Sequence, residues 1–197
     1  MKYIAHRVNT LAELRSLPQE YGAEIDLRDR GERLILQHDP FRDGEDFEPF
    51  LKAYRHGTLI LNVKSERIEY RVLDLLRKQG IEDYFFLDSS FPMIHALSGE
   101  GETRIALRYS EFEGLDTVLA MKGRVDWVWV DCFTKLPLDR HACDVLRENN
   151  FRTCLVSPEL QGREDDIIPY RDAINKLGIA LDAVCTKKHN ILKWAAR

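Results

Sequence analysis

The sequence predicts an α/β protein whose 197 residues form one compact (β/α)8 barrel of the TIM type, with an antiparallel hairpin strand after the second strand. Apolar, β-prone segments alternate with segments of helical period, which is typical of parallel sheets. Strand after strand ends on a polar residue, as expected of a barrel with a functional site at its carboxyl rim. An open, doubly wound sheet is the alternative, but no glycine-rich phosphate loop follows the first strand.

The first half of the chain begins this alternation. Residues 2–7 are predicted as a strand, and Thr10 as the cap of a helix whose leucines recur at helical spacing before Pro18. The second strand and its hairpin follow, and then a short helix over 47–54. The remaining elements are a buried strand over 58–64 and the most regular helix of the chain, over 66–79.

The second half repeats the pattern with shorter elements. Strands are predicted over 84–88, 104–108, 126–131, 152–157 and 181–186. Helices are predicted over 92–97, 115–122, 139–148, 165–177 and 191–196. Several helices must be short, because the chain lies near the lower limit of about 200 residues for this fold.

The most informative stretch is the second strand with its hairpin. Glu24 and Asp26 are two residues apart, so a strand directs both carboxylates to one face and Ile25 to the other. A turn at 30–32 returns the chain, and the hairpin register is expected to set His38 roughly opposite Asp26. Paired carboxylates beside a histidine suit a metal and metal-assisted chemistry, whereas a solvated surface hairpin is the plainer interpretation.

Other strand ends carry further candidates. His6 and Arg7 close the first strand, and a histidine beside a permanent cation at that position is hard to explain by packing. Arg108 and Asp131 close two later strands and are additional site candidates. Trp127 and Trp129 share the face of Asp131, where large aromatic side chains are more often core than ligand platforms.

Composition and charge exclude several classes of function. A hydrophobic content of 44% suffices for one core, and a net charge of −4 without any basic run argues against nucleic-acid binding. No apolar run approaches the roughly 20 residues of a membrane span, and no basic, apolar leader begins the chain, so we expect a cytoplasmic protein. The oligomeric state stays open. Reduced core thiols are expected, because no Cys-x-x-Cys spacing occurs among Cys132, Cys143, Cys154 and Cys185.

Taken together, the motifs of the first half resemble the glycerophosphodiester phosphodiesterase family, within the wider phosphatidylinositol-specific phospholipase C-like barrel superfamily. The order and approximate spacing of that family's motifs are kept up to Phe91, and beyond it only the strand rhythm is similar. The matching segments are His6-Arg7-Val8, Asn9-Thr10, Glu24-Ile25-Asp26, His38-Asp39, Asn62-Val63-Lys64 and Ser90-Phe91.

The resemblance implies a role for each matching residue. The two histidines of the family serve as general acid and base, its acidic residues bind a divalent cation, and its Arg and Lys hold phosphoryl oxygens. Carried over by position, the catalytic pair is His6 and His38. The implied cation ligands are Glu24, Asp26 and Asn62, for Mg²⁺ or Ca²⁺. The implied phosphate ligands are Arg7 and Lys64, to which Arg108 is added as a further candidate.

Three departures from the family pattern accompany this match. Val8 replaces a glycine, Asn62 replaces the third acidic ligand, and Lys187 follows Thr186 where an aspartate is usual. The family's insertion after the His-Asp motif, which helps to shape its glycerol-phosphate pocket, is reduced to residues 40–57.

These observations favour a metal-dependent phosphodiesterase acting on a small glycerophosphodiester-like or sugar-linked phosphodiester. One alternative is a barrel that has lost turnover and binds a phosphorylated metabolite. Another is a phospholipase C-like lyase that forms a cyclic phosphate.

Overall fold

The structure, a computed structural model, describes residues 1–196, within which the chain forms ten strands and eight α-helices. The strands are β1 (Lys2–Ala5), β2 (Gly22–Arg30), β3 (Arg33–Leu36), β4 (Glu45–Asp46), β5 (Leu59–Val63), β6 (Tyr84–Leu87), β7 (Ala106–Tyr109), β8 (Trp127–Val130), β9 (Arg152–Val156) and β10 (Ala183–Thr186). The helices are α1 (Leu11–Ser16), α2 (Phe47–Ala53), α3 (Glu69–Gln79), α4 (Phe91–Gly99), α5 (Leu115–Ala120), α6 (Arg140–Glu148), α7 (Ile167–Leu177) and α8 (Ile191–Ala195).

Eight of these strands are parallel and form a closed ring. β1 pairs with β2 on one side and with β10 on the other, and the order continues from β2 through β5 to β6 and from β10 through β9 and β8 to β7. A parallel bridge between Phe86 and Ile105 joins β6 to β7, with the Phe86 N–H donating to the Arg104 carbonyl at 2.9 Å. The predicted (β/α)8 barrel is therefore confirmed.

A helix follows each barrel strand, and the helices are only five to eleven residues long. Their short length explains how fewer than about 200 residues complete the fold. The predicted cap at Thr10 is confirmed: its hydroxyl accepts from the Glu13 N–H, and the Glu13 carboxylate accepts from the Thr10 N–H. Among residues 1–196, no helix combines the length and the apolar character needed to cross a bilayer.

Two apolar cores hold the barrel together. The larger core lies between the strands and the helices, and the smaller one fills the ring itself. Trp127 and Trp129 are buried in the inner core, where Trp127 stacks on Phe85 with ring centroids 4.5 Å apart. These tryptophans are therefore packing residues. All four cysteines are free, and Cys143 alone is partly exposed.

Two details differ from the sequence expectations. In the hairpin, Leu27 pairs with Leu36, and the Gln37 N–H donates to the Asp26 carbonyl at 2.9 Å. Gln37 therefore opposes Asp26, and His38 lies one residue further along, beyond the end of β3. The second difference is the start of α3 at Glu69 instead of residue 66, because Arg67 has a left-handed backbone with φ of 68°.

Candidate active site

The carboxyl ends of β1, β2 and β5 bring the predicted residues of the first half together. β2 and β5 are in register with Asp26 beside Asn62, and β1 ends directly before His6. Parallel strands end at the same rim of a barrel, so residues that are far apart in sequence become neighbours there. The hydrogen bonds and ion pairs described next join His6, Arg7, Glu24, Asp26, Asn62 and Lys64 into one group, which we call the carboxylate cluster.

Glu24 is the most deeply buried member of the carboxylate cluster, with no solvent exposure. Its carboxylate accepts from the Arg7 backbone N–H at 2.7 Å and from Asn62 Nδ2 at 2.8 Å. The left-handed backbone of Arg7, with φ of 59°, accompanies this contact. Burial, followed by the negative charge of Asp26, raises the pKa of Glu24 to about 7. Glu24 can therefore take up or release a proton near neutral pH.

Asp26 is held by different partners. Asn9 makes two hydrogen bonds with Asp26. Its side-chain amide donates to Asp26 Oδ2 at 2.8 Å, and its Oδ1 accepts from the Asp26 N–H at 2.9 Å. Two cations approach its carboxylate at longer range, Arg7 Nε at 3.6 Å and Lys64 Nζ at 3.8 Å. Asn9, predicted only as part of a helix start, thus also orients a site carboxylate.

His6 lies beside Glu24, with Nε2 at 3.7 Å from Glu24 Oε2. Burial lowers the pKa of His6 to about 4, and the positive charge of Arg7 contributes in the same direction. The imidazole is therefore neutral at pH 7. A neutral imidazole beside a carboxyl group of pKa about 7 is an arrangement able to exchange protons with a substrate.

His38 lies just beyond the end of β3. Its Nδ1 lies 2.9 Å from Asp39 Oδ1, and its backbone carbonyl accepts two hydrogen bonds from the Arg28 guanidinium. The hydrogen bond from His38 holds the pKa of Asp39 below its usual range. His38 remains partly exposed, and its charge is among those that lower the pKa of His6. Within residues 1–196, the His38 side chain is hydrogen-bonded to Asp39 and not to any member of the carboxylate cluster.

A second group of charges continues from Lys64 around the rim. Lys64 Nζ donates to Asp88 Oδ2 at 3.2 Å, and Arg108 binds Asp88 through Nε and Nη2 at 2.8 and 2.7 Å. Arg108 Nη1 also donates to Asp131 Oδ2 at 2.7 Å, and Gln161 donates to the other oxygen of Asp131. We call Asp88, Arg108 and Asp131 the ion-pair chain. Arg108, predicted as a phosphate ligand, therefore has its donors engaged by two carboxylates.

The oxygen atoms of the carboxylate cluster are chemically suited to a hard divalent cation. Two carboxylates and an amide come together, and Asn62 Oδ1 is buried without a hydrogen-bond partner among residues 1–196. Such an orphaned oxygen is costly unless a donor or a cation reaches it. The chain described by the structure contains no group of three or more His, Cys, Asp or Glu side chains placed to hold a metal. Of the three side chains that could offer oxygen atoms to a cation, Glu24 and Asp26 are carboxylates and Asn62 is an uncharged amide.

A buried carboxylate beside β9 was not indicated by any sequence pattern. Glu159 accepts from the Thr186 hydroxyl at 2.5 Å, from the Lys187 N–H at 2.9 Å and from the Ser157 hydroxyl. Thr186 in turn accepts the His6 backbone N–H at 2.8 Å through its carbonyl. Glu159 thus holds the end of β10, the neighbouring strand whose Thr186 carbonyl accepts the His6 N–H, and it binds the backbone of Lys187, where the sequence departs from the family pattern.

Val8 and the segment 40–57 account for the other departures. Val8 is buried in the outer core, and its N–H donates to the Glu24 carbonyl at 2.8 Å, with the left-handed backbone at Arg7 instead of Val8. A side chain at position 8 is therefore accommodated. Residues 45–53 of the shortened segment form β4 and α2, which pack on the hairpin instead of building a separate insertion.

No family model and no curated protein matches this sequence. Solved structures do match its fold. A glycerophosphodiester phosphodiesterase from Agrobacterium tumefaciens superposes with a TM-score of 0.69 at 16% identity, over 95% of this chain and 97% of that chain. A glycerophosphoryl diester phosphodiesterase from Parabacteroides distasonis gives 0.70 at 12% identity, over 99% and 86%. The glycerophosphodiester phosphodiesterase of Thermotoga maritima gives 0.63 at 16% identity, over 97% and 96%. The chain therefore has the barrel fold of solved glycerophosphodiester phosphodiesterases, as its motifs predicted.

Proposed function

We propose that this protein is a phosphodiesterase that hydrolyses a small glycerophosphodiester-like or sugar-linked phosphodiester, with His6 and His38 as acid and base. The observation that carries the proposal is the carboxylate cluster itself. It combines a neutral histidine, a carboxyl group that titrates near pH 7 and two cations at the rim of a barrel. The named activity of the structural relatives supports the same reaction class.

The two cations address the main obstacle to phosphodiester hydrolysis, which is the negative charge that repels a nucleophile. Arg7 is half exposed and Lys64 is one-fifth exposed or less, so both can reach a bound phosphate. Their charges offset the charge that spreads over the phosphoryl oxygens in the transition state. The guanidinium offers two parallel donors and the ammonium offers a point charge.

The histidines divide the proton transfers. His6, neutral at pH 7, accepts the proton of the attacking hydroxyl or water, and the nearby Glu24 carboxylate stabilises the imidazolium that results. Asp39 accepts from Nδ1–H of His38 and stabilises its imidazolium form, whose Nε2–H gives a proton to the departing alkoxide. Concerted removal and delivery of protons avoids high-energy charges on either oxygen.

A divalent cation, Mg²⁺ or Ca²⁺, would be held by Glu24, Asp26 and Asn62. When bound, it supplies additional positive charge for the phosphate oxygens. Because affinity at oxygen sites increases with ligand charge, two carboxylates and one amide give a weakly held ion. Lys64 already lies 3.8 Å from Asp26, so the ammonium and the cation compete for that carboxylate.

The test is a phosphorus NMR screen of glycerol-, sugar- and choline-linked phosphodiesters, with Mg²⁺, with Ca²⁺ and with chelator. The proposal predicts a phosphomonoester product that appears faster with added cation. A cyclic phosphate product would identify a lyase. Binding-induced shifts without turnover of any diester would contradict the proposal and leave a phosphate-binding barrel.

A further inference from the structure

A cavity of about 760 Å³ lies at the carboxyl rim between α4 and α5, beside the proposed phosphate site. Its apolar wall includes Ile94 and Leu107, both buried, and two exposed aromatic side chains, Phe91 and Phe112, line it as well. Its volume lies within the roughly 300–1,000 Å³ range of small-molecule sites. It exceeds what a glycerol group needs.

The cavity borders the carboxylate cluster at Asp88. Asp88 lines it and accepts the hydrogen bond from Lys64 Nζ at 3.2 Å. Arg108 also lines it and is bonded to Asp88. A phosphodiester held by Lys64 would therefore place one of its two alcohol groups toward this cavity.

An unsatisfied hydroxyl points independently to a polar ligand. Ser89 lines the cavity, is only 8% exposed, and its Oγ has no hydrogen-bond partner in the part of the chain that the structure describes. A buried polar group without a partner costs about 1–3 kcal/mol. The Oγ atom itself is buried, so the Ser89 side chain must rotate about χ1 to meet a ligand hydroxyl in the cavity; that contact would remove the cost, whereas contact with a hydrocarbon chain would not.

We propose that this cavity binds a glycosyl group, so that the preferred substrate is a glycosyl phosphodiester; the assignment rests on the phosphodiesterase function proposed above. A sugar ring has an apolar face of C–H groups that packs on aromatic side chains such as Phe91 and Phe112. Its edge carries hydroxyl groups that can satisfy Ser89 and can donate to the remaining lone pairs of the partly exposed Asp88 carboxylate. An acyl chain would instead bury those polar groups against hydrocarbon.

The experiment compares two non-hydrolysable phosphonate analogues, each with glycerol on one side and either glucosyl or glycerol on the other. Calorimetry with the wild type should give a dissociation constant about tenfold or more lower for the glucosyl analogue. Ser89→Ala and Phe112→Ala should each weaken the glucosyl analogue by about three- to tenfold and leave the glycerol analogue within about twofold. Ser89→Ala removes no hydrogen bond from the free protein, so its fold is retained.

Phe41→Ala is the matched control, since Phe41 is a fully exposed phenylalanine in the loop between β3 and β4 and is not among the residues lining this cavity within residues 1–196. It should leave both affinities unchanged. Equal affinities for the two analogues, failure of the glucosyl analogue to bind, or an equal loss in Phe41→Ala would overturn the assignment. Selective glucosyl binding without turnover of any diester would refute only the phosphodiesterase proposal. Turnover of both diesters with equal analogue affinities would refute only the glycosyl site.

Discussion

The carboxylate cluster and the ion-pair chain share one rim but satisfy their charges in opposite ways. Asp88, Arg108 and Asp131 are joined by direct ionic hydrogen bonds of 2.7–2.8 Å. Glu24 receives only a backbone N–H and an amide, and its nearest histidine stands 3.7 Å away. The charges of the ion-pair chain are therefore already compensated, whereas the carboxylate cluster still lacks positive charge close to Glu24. Such a deficit is typical of a site that binds a ligand.

The largest expected effect distinguishes the two proposed catalytic histidines from the others. His6→Ala and His38→Ala should each lower kcat by about 10²-fold or more, because each removes a proton-transfer group, while circular dichroism shows an unchanged fold. His141→Ala, on the exposed surface of α6, is the control and should retain wild-type kcat. Near-normal turnover by both rim variants would refute their assignment.

The next effect concerns stability and should appear in the ion-pair chain. Arg108→Met leaves the buried Asp131 carboxylate without its ionic partner, so the free energy of unfolding in urea should fall by about 2 kcal/mol. Arg77→Met, which breaks the exposed Arg77–Asp74 pair on α3, should change it by less than about 0.5 kcal/mol. Equal losses of unfolding free energy in the two variants would show that the ion-pair chain stabilises the fold no more than an exposed ion pair does.

In the carboxylate cluster, by contrast, the substitution Glu24→Gln should raise the free energy of unfolding. A carboxyl group whose pKa rises from 4.5 to about 7 on folding binds protons more tightly in the folded state. The stability of the wild type therefore falls as the pH rises from 4.5 to about 7. The substituted amide carries no charge, and a flipped Asn62 amide would offer it the orphaned Oδ1 as an acceptor. We expect Glu24→Gln to be about 1–2 kcal/mol more stable than the wild type at about pH 8, and this gain to vanish near pH 4.

The stability of the exposed variant Glu66→Gln should parallel the wild type over the same range. His6 gives the opposite dependence of stability on pH, because its lowered pKa contributes stability that is present above pH 6.5 and lost as the pH falls toward 4. The two slopes oppose each other between pH 4.5 and 6.5. A Glu24→Gln gain that did not depend on pH would contradict the titration of Glu24.

The smallest expected effect concerns the affinity of the carboxylate cluster for a divalent cation. Asn62→Glu restores a third negative ligand, so calorimetry should show about tenfold tighter binding of Mg²⁺ or Ca²⁺, with Asn62→Gln as the uncharged control. If Asn62→Glu gained no cation affinity, or if activity survived exhaustive chelation, the positive charge at the phosphate would have to come from Arg7 and Lys64 and not from a bound cation.

The sequence predicted the architecture well because the barrel depends on periodicity and on polar residues at strand ends. His6, Glu24, Asp26 and Lys64 could be placed at one rim for that reason. The register of His38 was wrong by one residue, since two-residue and longer turns are alike in composition around Gly31. The left-handed backbone of Arg67 is likewise invisible in residue type.

Pairwise contacts across strands could not be predicted from one sequence. Glu159 and Thr186 are 27 residues apart, and nothing in either segment indicates the other. Arg108 was expected to hold phosphate because it ends a strand, and that role stays a prediction; its hydrogen bonds to Asp88 and Asp131 from neighbouring strands could not be anticipated. The orientation of the Asn62 amide also depends on Glu24 in three dimensions.

Lys64 is where the two groups meet, since it contacts Asp26 and Asp88, and it gives the most direct test of the central claim. The measurement is the affinity of glycerol 3-phosphate, by calorimetry, for the wild type, Lys64→Met and Arg108→Met, at a temperature where all three are folded. The account predicts about tenfold weaker binding for Lys64→Met, with cation binding retained, and a change within about twofold for Arg108→Met. An unchanged affinity in Lys64→Met, or a larger loss in Arg108→Met, would place phosphate on the ion-pair chain and contradict the account.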